Sequence, residues 1–374
     1  MANRANATGK VERAVSVFSV DLDAIADNYR YLRERLGGIE CAAVVKADGY
    51  GVGAAKVAQR LHAEGCRHFF CAHFDEAIAL RPLLRNSAIY VLNGLIGAKP
   101  DDFVGHDVIP VLNDLGQVYA WSRHSGTVKR REAVFHFDTG MTRLGLEVGD
   151  AERLALSGLL DAFSDALVMS HLACSEERDN PMNRRQLERF HDVLRWLPQY
   201  PASLANSSGI FLGGDFHFDM ARPGYALYGG NPLPDQPNPM RNAVRLESMI
   251  LQVRAIVEPR TVGYGATYKT DAPSRIATIA LGYADGYVRG FGNRGQVVLA
   301  GRKLPVVGRV SMDLVTIDVT DVPEDLAQPG TYVDVLGEHN PIDEAAARAG
   351  TIGYELLTRL GKRFARRYIG AVDD

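Results

Sequence analysis

Apolar runs alternate with amphipathic segments through the first two thirds of the chain. Between residues 41 and 229, each short apolar run is followed by a polar or glycine-rich turn. A longer segment such as DEAIALRPLLRN then carries apolar residues at every third or fourth position, which is typical of a helix. The eight apolar runs cover residues 41–46, 68–73, 89–93, 108–112, 133–138, 167–171, 202–206 and 220–228. Strands that alternate with helices pair in parallel, so the pattern predicts an α/β fold with an N-terminal (β/α)8 TIM barrel; an open doubly wound sheet is the competing architecture.

The pattern changes at residues 231–240, NPLPDQPNPM, where four prolines in ten residues indicate a linker. Beyond it, runs such as SMILQVRAIV, RIATIALGYA and YVDVLGE predict strands joined by short turns, and helical periodicity returns only near the end. We therefore predict a barrel over residues 13–240 and a mainly-β domain over residues 241–374. The early run at residues 14–22 could add a strand to the β domain, and residues 1–12 are expected to be disordered.

Composition excludes several classes of protein. The chain has 374 residues, 42 of them basic and 45 acidic, and a formal net charge of −3. This balance, without a dense block of Lys and Arg, argues against a nucleic-acid or membrane-surface partner. The four cysteines form no CxxC pair, and no apolar run approaches the roughly 18 residues of a transmembrane helix. The polar N-terminus lacks the core of a signal peptide, so we expect a cytoplasmic protein with free thiols and no metal site.

Three polar residues end predicted barrel strands, where barrel enzymes place their chemistry. Lys46 ends VVK, His171 ends LVMSH and Arg222 ends FDMAR. A lysine at the end of a buried strand is partly desolvated, which lowers its pKa and suits it to react with an aldehyde or to transfer a proton. Taken singly, each of the three could equally be a structural polar group.

Two loops of small residues follow the last two predicted strands. They are ANSSG at residues 205–209 and RPGYALYG at residues 222–229. Barrels commonly bind phosphate at these strand ends through backbone N–H groups. A strand-end lysine together with such loops indicates a phosphorylated aldehyde cofactor, although a lysine-dependent aldolase stays open on this evidence.

At VVKADGYG the chain resembles the alanine racemases, the fold-type-III pyridoxal phosphate enzymes, and the resemblance runs nearly end to end. Seven further motifs follow in the order of that family: FDTGMTRLG (137–145), ANSSG (205–209), RPGYALYG (222–229), VGYGATY (262–268), LGYADGY (281–287), GRVSMD (308–313) and GYELL (353–357). The resemblance implies pyridoxal 5′-phosphate as cofactor and racemisation of alanine as the reaction.

The resemblance also implies roles for individual residues. Lys46 would hold the cofactor covalently and act as the base on the D-isomer, and Tyr264 would be the base on the L-isomer. In this family that tyrosine comes from the partner subunit, so the resemblance implies a homodimer with shared active sites. Arg222 would contact the pyridine nitrogen without protonating it, and His171 would lie between Arg222 and Tyr264.

The remaining implied contacts concern phosphate and substrate. Arg143 would meet the phenolic oxygen of the cofactor and the substrate carboxylate, which the backbone N–H of Met312 would also meet. Tyr264 and Tyr354 would crowd the entrance and thereby favour alanine. The phosphate would be held by Tyr50, Ser207, Gly224, Tyr225 and Tyr354.

Three positions depart from the family pattern. His136 stands where many members carry a carbamylated lysine that positions the equivalent of Arg143. A histidine cannot form that stable carbamate, so either a small anion or His136 itself must orient Arg143. Val52 replaces a common histidine, and Glu176 stands near an entrance position that is usually aspartate.

Other functions remain as alternatives. A broad-specificity or serine racemase of the same fold is the nearest one. A fold-type-III decarboxylase would carry a different interface residue, typically cysteine, and VGYGATY argues against it. A pyridoxal phosphate carrier of the single-barrel type would lack the β domain. The motifs are shared by enzymes that make D-alanine for the cell wall and by enzymes that degrade it.

Overall fold

The computed structural model describes residues 14–124 and 132–370. Within that part the chain divides into two compact units, one of residues 25–241 and one of residues 14–24 with 242–370. The chain begins with strand β1 (Ser16–Asp21) and helix α1 (Leu22–Leu36). The disorder expected for residues 1–12 lies outside the described residues.

The unit of residues 25–241 alternates short strands with helices. Its strands are β2 (Glu40–Cys41), β3 (Ala43–Val44), β4 (His68–Cys71), β5 (Ala88–Val91), β6 (Ile109–Leu112), β7 (Glu132–His136), β8 (Asp165–Met169), β9 (Ala202–Ser203) and β10 (Met220–Ala221). Its further helices are α2 (Lys46–Tyr50), α3 (Ala54–Ala63), α4 (Phe74–Leu80), α5 (Pro100–Gly105), α6 (Leu115–Ser122), α7 (Asp150–Leu156) and α8 (Pro181–Trp196). Strands β3 to β9 form one parallel sheet in sequence order.

Backbone hydrogen bonds close this sheet into a ring. Strand β10 pairs in parallel with β2, and the register continues where the Val44 N–H donates to Pro223 O over 2.9 Å. On the other side the Arg222 N–H donates to Ala205 O over 2.8 Å. The predicted TIM barrel is confirmed. Its last two strands are shorter than the apolar runs that predicted them, because the serine, glycine and proline residues after each strand turn the chain away.

Burial explains why the barrel strands read as continuous apolar runs. Phe69, Phe70, Phe135 and Val168 are fully buried, as expected when both faces of a parallel sheet are covered. The helices outside the ring are amphipathic instead: α8 buries a stripe that contains Leu187, Phe190 and Val193 at helical spacing. Parallel strands in a ring bring all their carboxyl ends to one rim.

The other unit is mainly β. Its strands after β1 are β11 (Val244–Ile256), β12 (Thr261–Val262), β13 (Tyr268–Lys269), β14 (Ser274–Ile279), β15 (Gln296–Leu299), β16 (Arg302–Pro305), β17 (Val315–Asp318), β18 (Tyr332–Leu336) and β19 (Ala365–Ile369), with helices α9 (Ile342–Ala349) and α10 (Gly353–Arg359). The long strand β11 pairs with β1, β14 and β18, and β1 pairs in parallel with β19. Strands β12 and β13 form a separate hairpin.

In the part of the chain that the structure describes, no helix combines the length and the apolar character needed to cross a bilayer.

Candidate active site

The carboxyl ends of the barrel strands bring together the residues expected to act in the first unit. Lys46 follows β3 and His136 ends β7, while His171 follows β8. Ser207 and Arg222 follow β9 and β10 in the same way. Since the strands are parallel, these five positions lie at one rim, where TIM barrels carry their active sites.

Lys46 is partly buried at this rim, and its surroundings favour the neutral amine. Burial lowers the pKa of Lys46, the Arg143 guanidinium lowers it further, and the Glu76 carboxylate opposes both effects. A neutral amine is both a nucleophile toward an aldehyde and a proton acceptor. The position therefore supports either of the two uses expected for a strand-end lysine.

The four residues after Lys46 form one left-handed helical turn. Ala47, Asp48, Gly49 and Tyr50 all have φ between 54° and 61°. A residue other than glycine costs about 1–2 kcal/mol in this conformation, so three of the four are strained. Two carboxylates bond at the start of the turn: the Ala47 N–H donates to Glu76 Oε1 over 2.6 Å, and the Asp48 carboxylate accepts from the Ala54 N–H over 2.9 Å.

The left-handed turn places Tyr50 against the loop that follows β10. The Tyr50 ring stacks on Tyr228 with 4.8 Å between centroids, and burial raises the pKa of the Tyr50 hydroxyl to about 12, so it stays protonated. A Cβ on Gly224 would lie 2.4 Å from Tyr50 Oη, so only glycine permits this approach. The hydroxyl therefore lies directly beside the backbone of the loop.

Two backbone N–H groups of that loop converge on one oxygen atom. Ser207 Oγ accepts from the Gly224 N–H over 3.0 Å and from the Ala226 N–H over 3.2 Å. Two donors directed at one point can serve an anion oxygen equally well. Tyr50, Ser207, Gly224 and the adjacent Tyr225 thus form a small cup of hydroxyl and backbone donors, which we call the anion cup.

The guanidinium group of Arg222 is a buried positive charge. Its guanidinium donates to Ser203 Oγ and, over 2.6 Å, to Ser170 O, and it lies over the Phe70 ring. Burial lowers the pKa of Arg222 to about 10, which leaves it charged at neutral pH. Within the described residues no carboxylate pairs with it, so the positive charge is balanced only by neutral acceptors.

Two histidines at the rim stay neutral. Burial lowers the pKa of His171 well below its usual range, and Arg222, Arg143 and Lys46 lower it further. Burial, then Arg222 and Arg143, lower the pKa of His136 to about 3. Neither ring takes up a proton near pH 7, because each would add a charge to a region that is already positive.

The hydrogen bonds of Asn113 determine which nitrogen of His136 carries its proton. Asn113 Nδ2 donates to Leu92 O and to Val111 O, both over 3.0 Å. Its Oδ1 is therefore an acceptor, and His136 Nδ1, 2.7 Å away, must be the donor. The neutral ring then keeps a lone pair on Nε2. The Nε2 atom of His136 is therefore an uncharged hydrogen-bond acceptor. The sequence left two candidates for orienting Arg143, a small anion or His136 itself.

Arg143 lies exposed on a loop that its own backbone bonds make rigid. The Asp138 carboxylate accepts from the N–H groups of Gly140, Met141 and Arg143. The loop returns to its starting strand where the Leu146 N–H donates to His136 O over 2.7 Å. Such an Asx-type arrangement fixes the loop before any ligand binds.

The three remaining candidates lie in the mainly-β unit. Tyr264 begins a short helical turn at the tip of the β12–β13 hairpin, and 71% of its surface is exposed. Met312 is 54% exposed in the loop before β17, and Tyr354 is half-buried in α10. Val52 is fully buried, so this departure from the family pattern fills the core of the barrel unit.

Two residues at the rim were not predicted from the sequence. Glu76 bonds to the turn after Lys46, and Asn113 fixes the His136 tautomer. Glu76 is the third residue of α4 and follows its N-cap residue, His73, by three positions, which is the spacing of a capping box. That signal identifies a helix cap but gives no hint of a second partner in another loop.

Comparison with known proteins places this geometry in a family. Residues 20–232 match the alanine racemase N-terminal domain and residues 243–368 match the alanine racemase C-terminal domain. The alanine racemase of Rhodospirillum rubrum is 50% identical over 97% of this chain and 98% of its own length. That of Rhizobium meliloti is 45% identical over 96% of this chain and 97% of its own length.

A solved structure shares the fold as well. The alanine racemase of Bartonella henselae, crystallised with covalently bound pyridoxal phosphate, superposes with a TM-score of 0.91 at 40% identity. The match covers 95% of this chain and 100% of the Bartonella henselae chain.

Proposed function

The chain belongs to the alanine racemase family, and on that premise we propose that it uses pyridoxal 5′-phosphate to interconvert L-alanine and D-alanine. The observation that carries the proposal is that three features meet at one barrel rim: a lysine of lowered pKa, the anion cup, and a buried arginine that has no carboxylate partner among the described residues. Each of the three matches one part of the cofactor: its aldehyde, its phosphate and its ring nitrogen.

The residues present fit this cofactor. Arg143 and Arg222 bring positive charge to the rim, and within the described residues no carboxylate pairs with the Arg222 guanidinium. A doubly charged phosphate and a substrate carboxylate would balance that charge. Lys46 would hold the cofactor, Arg222 would donate to its ring nitrogen, and Tyr50, Ser207, Gly224, Tyr225 and Tyr354 would hold its phosphate. When bound, the cofactor withdraws electrons from the Cα atom of the attached amino acid and so acidifies its proton.

Two bases would then exchange the proton on opposite faces of Cα. Lys46 Nζ would remove the proton from D-alanine, and Tyr264 Oη would remove it from L-alanine. In each direction the other residue delivers a proton to the opposite face, since inversion requires removal on one side and addition on the other. The lowered pKa of Lys46 supports this use, because the residue must pass between its two protonation states near neutral pH.

Arg222 and His171 would keep the surroundings of the cofactor ring free of acidic protons. A guanidinium with a pKa of about 10 does not give up its proton to a pyridine nitrogen at neutral pH. His171 is neutral for the reasons given above and would lie between Arg222 and Tyr264. With neither residue able to supply a proton, the ring nitrogen would remain unprotonated and the cofactor would be a weaker electron acceptor.

Substrate selection would depend on Arg143 and on two tyrosines. Arg143 and the Met312 N–H would bind the substrate carboxylate, with His136 Nε2 available to accept a bond from the Arg143 guanidinium. Tyr264 and Tyr354 would narrow the entrance to the width of a methyl side chain. A broad-specificity racemase is the alternative that a wider entrance would produce.

We also propose that the enzyme is a homodimer in which Tyr264 serves the barrel of the partner subunit. The exposure of Tyr264 and Met312 supports this, because a catalytic tyrosine needs an enclosed site to exclude water. A cytoplasmic location suits the three buried cysteines that remain free thiols, Cys41, Cys66 and Cys71.

The test is incubation of the purified protein with L-alanine in D₂O, followed by NMR of Cα–H and chiral analysis. We expect D-alanine that carries deuterium at Cα, together with an absorbance band near 420 nm (roughly, for a lysine-bound pyridoxal group). Lys46→Ala should lose both the band and racemisation, whereas the exposed Lys362→Ala should keep both. Racemisation that persists in Lys46→Ala contradicts the proposal, and turnover of serine at the rate of alanine selects the broad-specificity alternative.

A further inference from the structure

One carboxylate connects the lysine turn to the neighbouring strand end. Glu76 Oε2 accepts from the Ala72 N–H over 2.8 Å and from the His73 N–H over 3.2 Å, which caps helix α4. Its other oxygen, Oε1, accepts from the Ala47 N–H over 2.6 Å. Ala47 is the residue next to Lys46 and the first of the left-handed turn.

The second bond has no place in ordinary helix capping. A capping carboxylate satisfies N–H groups at the start of its own helix, and the bonds to Ala72 and His73 complete that task. The bond to Ala47 crosses to a segment 29 positions away in sequence. Bonds from backbone N–H to an ionised carboxylate are about twice as strong as bonds between neutral groups.

The strained turn requires such an external bond. Three residues other than glycine hold left-handed conformations there, and strained segments of this kind persist only where their surroundings fix them. The turn separates Lys46 from Tyr50, so its geometry determines how the amine and the anion-cup hydroxyl are spaced. A relaxed turn would move one of them relative to the other.

We propose that Glu76 is a positioning residue for Lys46: by holding the Ala47 N–H it fixes the left-handed turn and thereby aligns Lys46 with the anion cup. This inference rests on the function proposed above. Glu76 does not touch the reacting atoms and acts through the backbone of the turn.

The charge of Glu76 adds a second effect that can be measured separately. Two charged groups change the pKa of Lys46: Arg143 lowers it and Glu76 raises it. Lys46 itself contributes to the lowered pKa of His171. Removal of the Glu76 charge leaves the effect of Arg143 unopposed, so the pKa of Lys46 falls further. With D-alanine as substrate, the acidic limb of the pH profile of racemisation, where Lys46 must be neutral, should then move to lower pH.

The chain offers a matched control in Asp102. This residue occupies the same position in α5 and accepts from the Lys99 N–H over 2.8 Å in the same kind of capping box. Asp102→Ala should therefore lose only a helix cap, lowering the midpoint of thermal unfolding by about 2–4 °C. Glu76→Ala loses an equivalent cap and, in addition, the bond to Ala47.

The experiment compares the holoenzyme of the wild type, Glu76→Ala, Glu76→Gln and Asp102→Ala. We expect both Glu76 variants to lose cofactor faster on dialysis, to show a pH profile displaced to lower pH, and to lose about tenfold or more in kcat. Glu76→Gln preserves the size of the side chain if the alanine variant fails to fold. Its single amide oxygen can satisfy the α4 cap or the Ala47 N–H but not both, so it should lie between Glu76→Ala and the wild type.

Equal behaviour of the Glu76 and Asp102 variants in cofactor retention and pH profile would overturn the inference and reduce Glu76 to a helix cap. This result is distinct from failure of the proposed function, which would appear as a wild-type protein without the 420 nm band or without racemisation. Cofactor retention is read by absorbance alone and so tests Glu76 whatever amino acid the enzyme accepts.

Discussion

Lys46, Arg143 and Arg222 bring cationic groups to one rim, while His136 and His171 beside them are held neutral. This contrast follows from desolvation and from the repulsion of like charges, since each added proton would raise the energy of the others. The histidines are therefore uncharged groups at the rim. The tautomer of His136 is fixed as well, because the bonds of Asn113 leave only one assignment.

Acid should destabilise the cofactor-free protein through His136. The unfolded ring takes up a proton below about pH 6.5, whereas the buried ring resists protonation until about pH 3, so falling pH favours the unfolded state across that window. Between pH 7 and pH 5 this residue should lower the free energy of unfolding by about 2 kcal/mol. The free energy of unfolding, measured with urea at the two pH values, should fall less in His136→Gln than in the wild type. The exposed His339→Gln is the control. An equal loss of unfolding free energy between the two pH values in the wild type and His136→Gln would contradict this prediction.

Exchange of the Cα–H for deuterium can show which base acts on which isomer, whereas the rate of racemisation cannot. Mirror-image isomers have equal free energies, so kcat/KM must stay equal in both directions in every variant. Tyr264→Phe should lower racemisation by about 10²–10⁴. In D₂O its Lys46 should still exchange the Cα–H of D-alanine, whereas exchange into L-alanine should fall with racemisation.

The control for this experiment is Tyr31→Phe, a partly exposed tyrosine on α1 that has no proposed role. Exchange into L-alanine that survives in Tyr264→Phe would assign the second base to another residue.

At this scale the sequence indicated some residues directly and others only through the family resemblance. Lys46, His171 and Arg222 were candidates because each ends an apolar run, and the rule about barrel strand ends applied to them. Arg143 and Tyr50 came from motif similarity. Glu76 and Asn113 were not predicted as site residues, because their effect depends on backbone groups of other segments. A pattern of side chains does not reveal such contacts.

The left-handed turn and the loop after β10 are the two elements that build the anion cup. They meet at Gly224, where the approach of Tyr50 leaves no room for a side chain. Tyr50 cannot move aside easily, since it is buried and stacked on Tyr228.

Gly224→Ala should therefore disrupt the anion cup. A Cβ at this position would lie 2.4 Å from Tyr50 Oη and 2.9 Å from its Cζ, which forces a displacement that costs about 1–3 kcal/mol. We expect lost cofactor retention on dialysis and a lower melting temperature. Gly214→Ala is the matched control, because its Cβ would meet nothing within 4 Å. Normal cofactor retention in Gly224→Ala would show that Tyr50 does not contribute to the cup.

Apolar periodicity predicted the barrel strands well, but it overestimated the last two. Residues 202–206 and 220–228 are apolar because they are buried, yet only Ala202–Ser203 and Met220–Ala221 are strand. The left-handed turn was not foreseen at all. Of its four residues only Gly49 favours positive φ, and the Glu76 and Asp48 carboxylates that bond at the turn come from side chains whose partners the sequence pattern does not reveal.

The two proposed bases belong to different units of the chain, which allows the proposed dimer to be tested with pairs of variants. Lys46 belongs to the barrel unit and Tyr264 to the mainly-β unit. If Tyr264 serves the partner subunit, a dimer of one Lys46→Ala chain and one Tyr264→Phe chain has one intact site and one doubly defective site.

Mixing these two inactive variants should restore activity. Random reassociation makes about half of the dimers mixed, each with one working site, so about a quarter of wild-type activity should return. The measurement is racemisation after the variants are unfolded together and refolded, or co-expressed. Each variant refolded alone is the control. Absence of any recovery, with mixed dimers present by mass, would place Tyr264 in the site of its own chain.

The pairing of β1 with β11 and β19 has a consequence for how the protein is made. Ser16 lies opposite Ser248, and Val17 lies opposite Ala365. The ribosome makes β1 before the whole barrel unit, β11 directly after that unit, and β19 only after the other strands of the mainly-β unit. Domains generally fold as they emerge, so the barrel can form while the chain is still being synthesised. Strand β1 therefore has both edges open until β11 has been made and one edge open until β19 has been made, so the mainly-β unit is exposed to edge-to-edge aggregation after the barrel unit is able to fold.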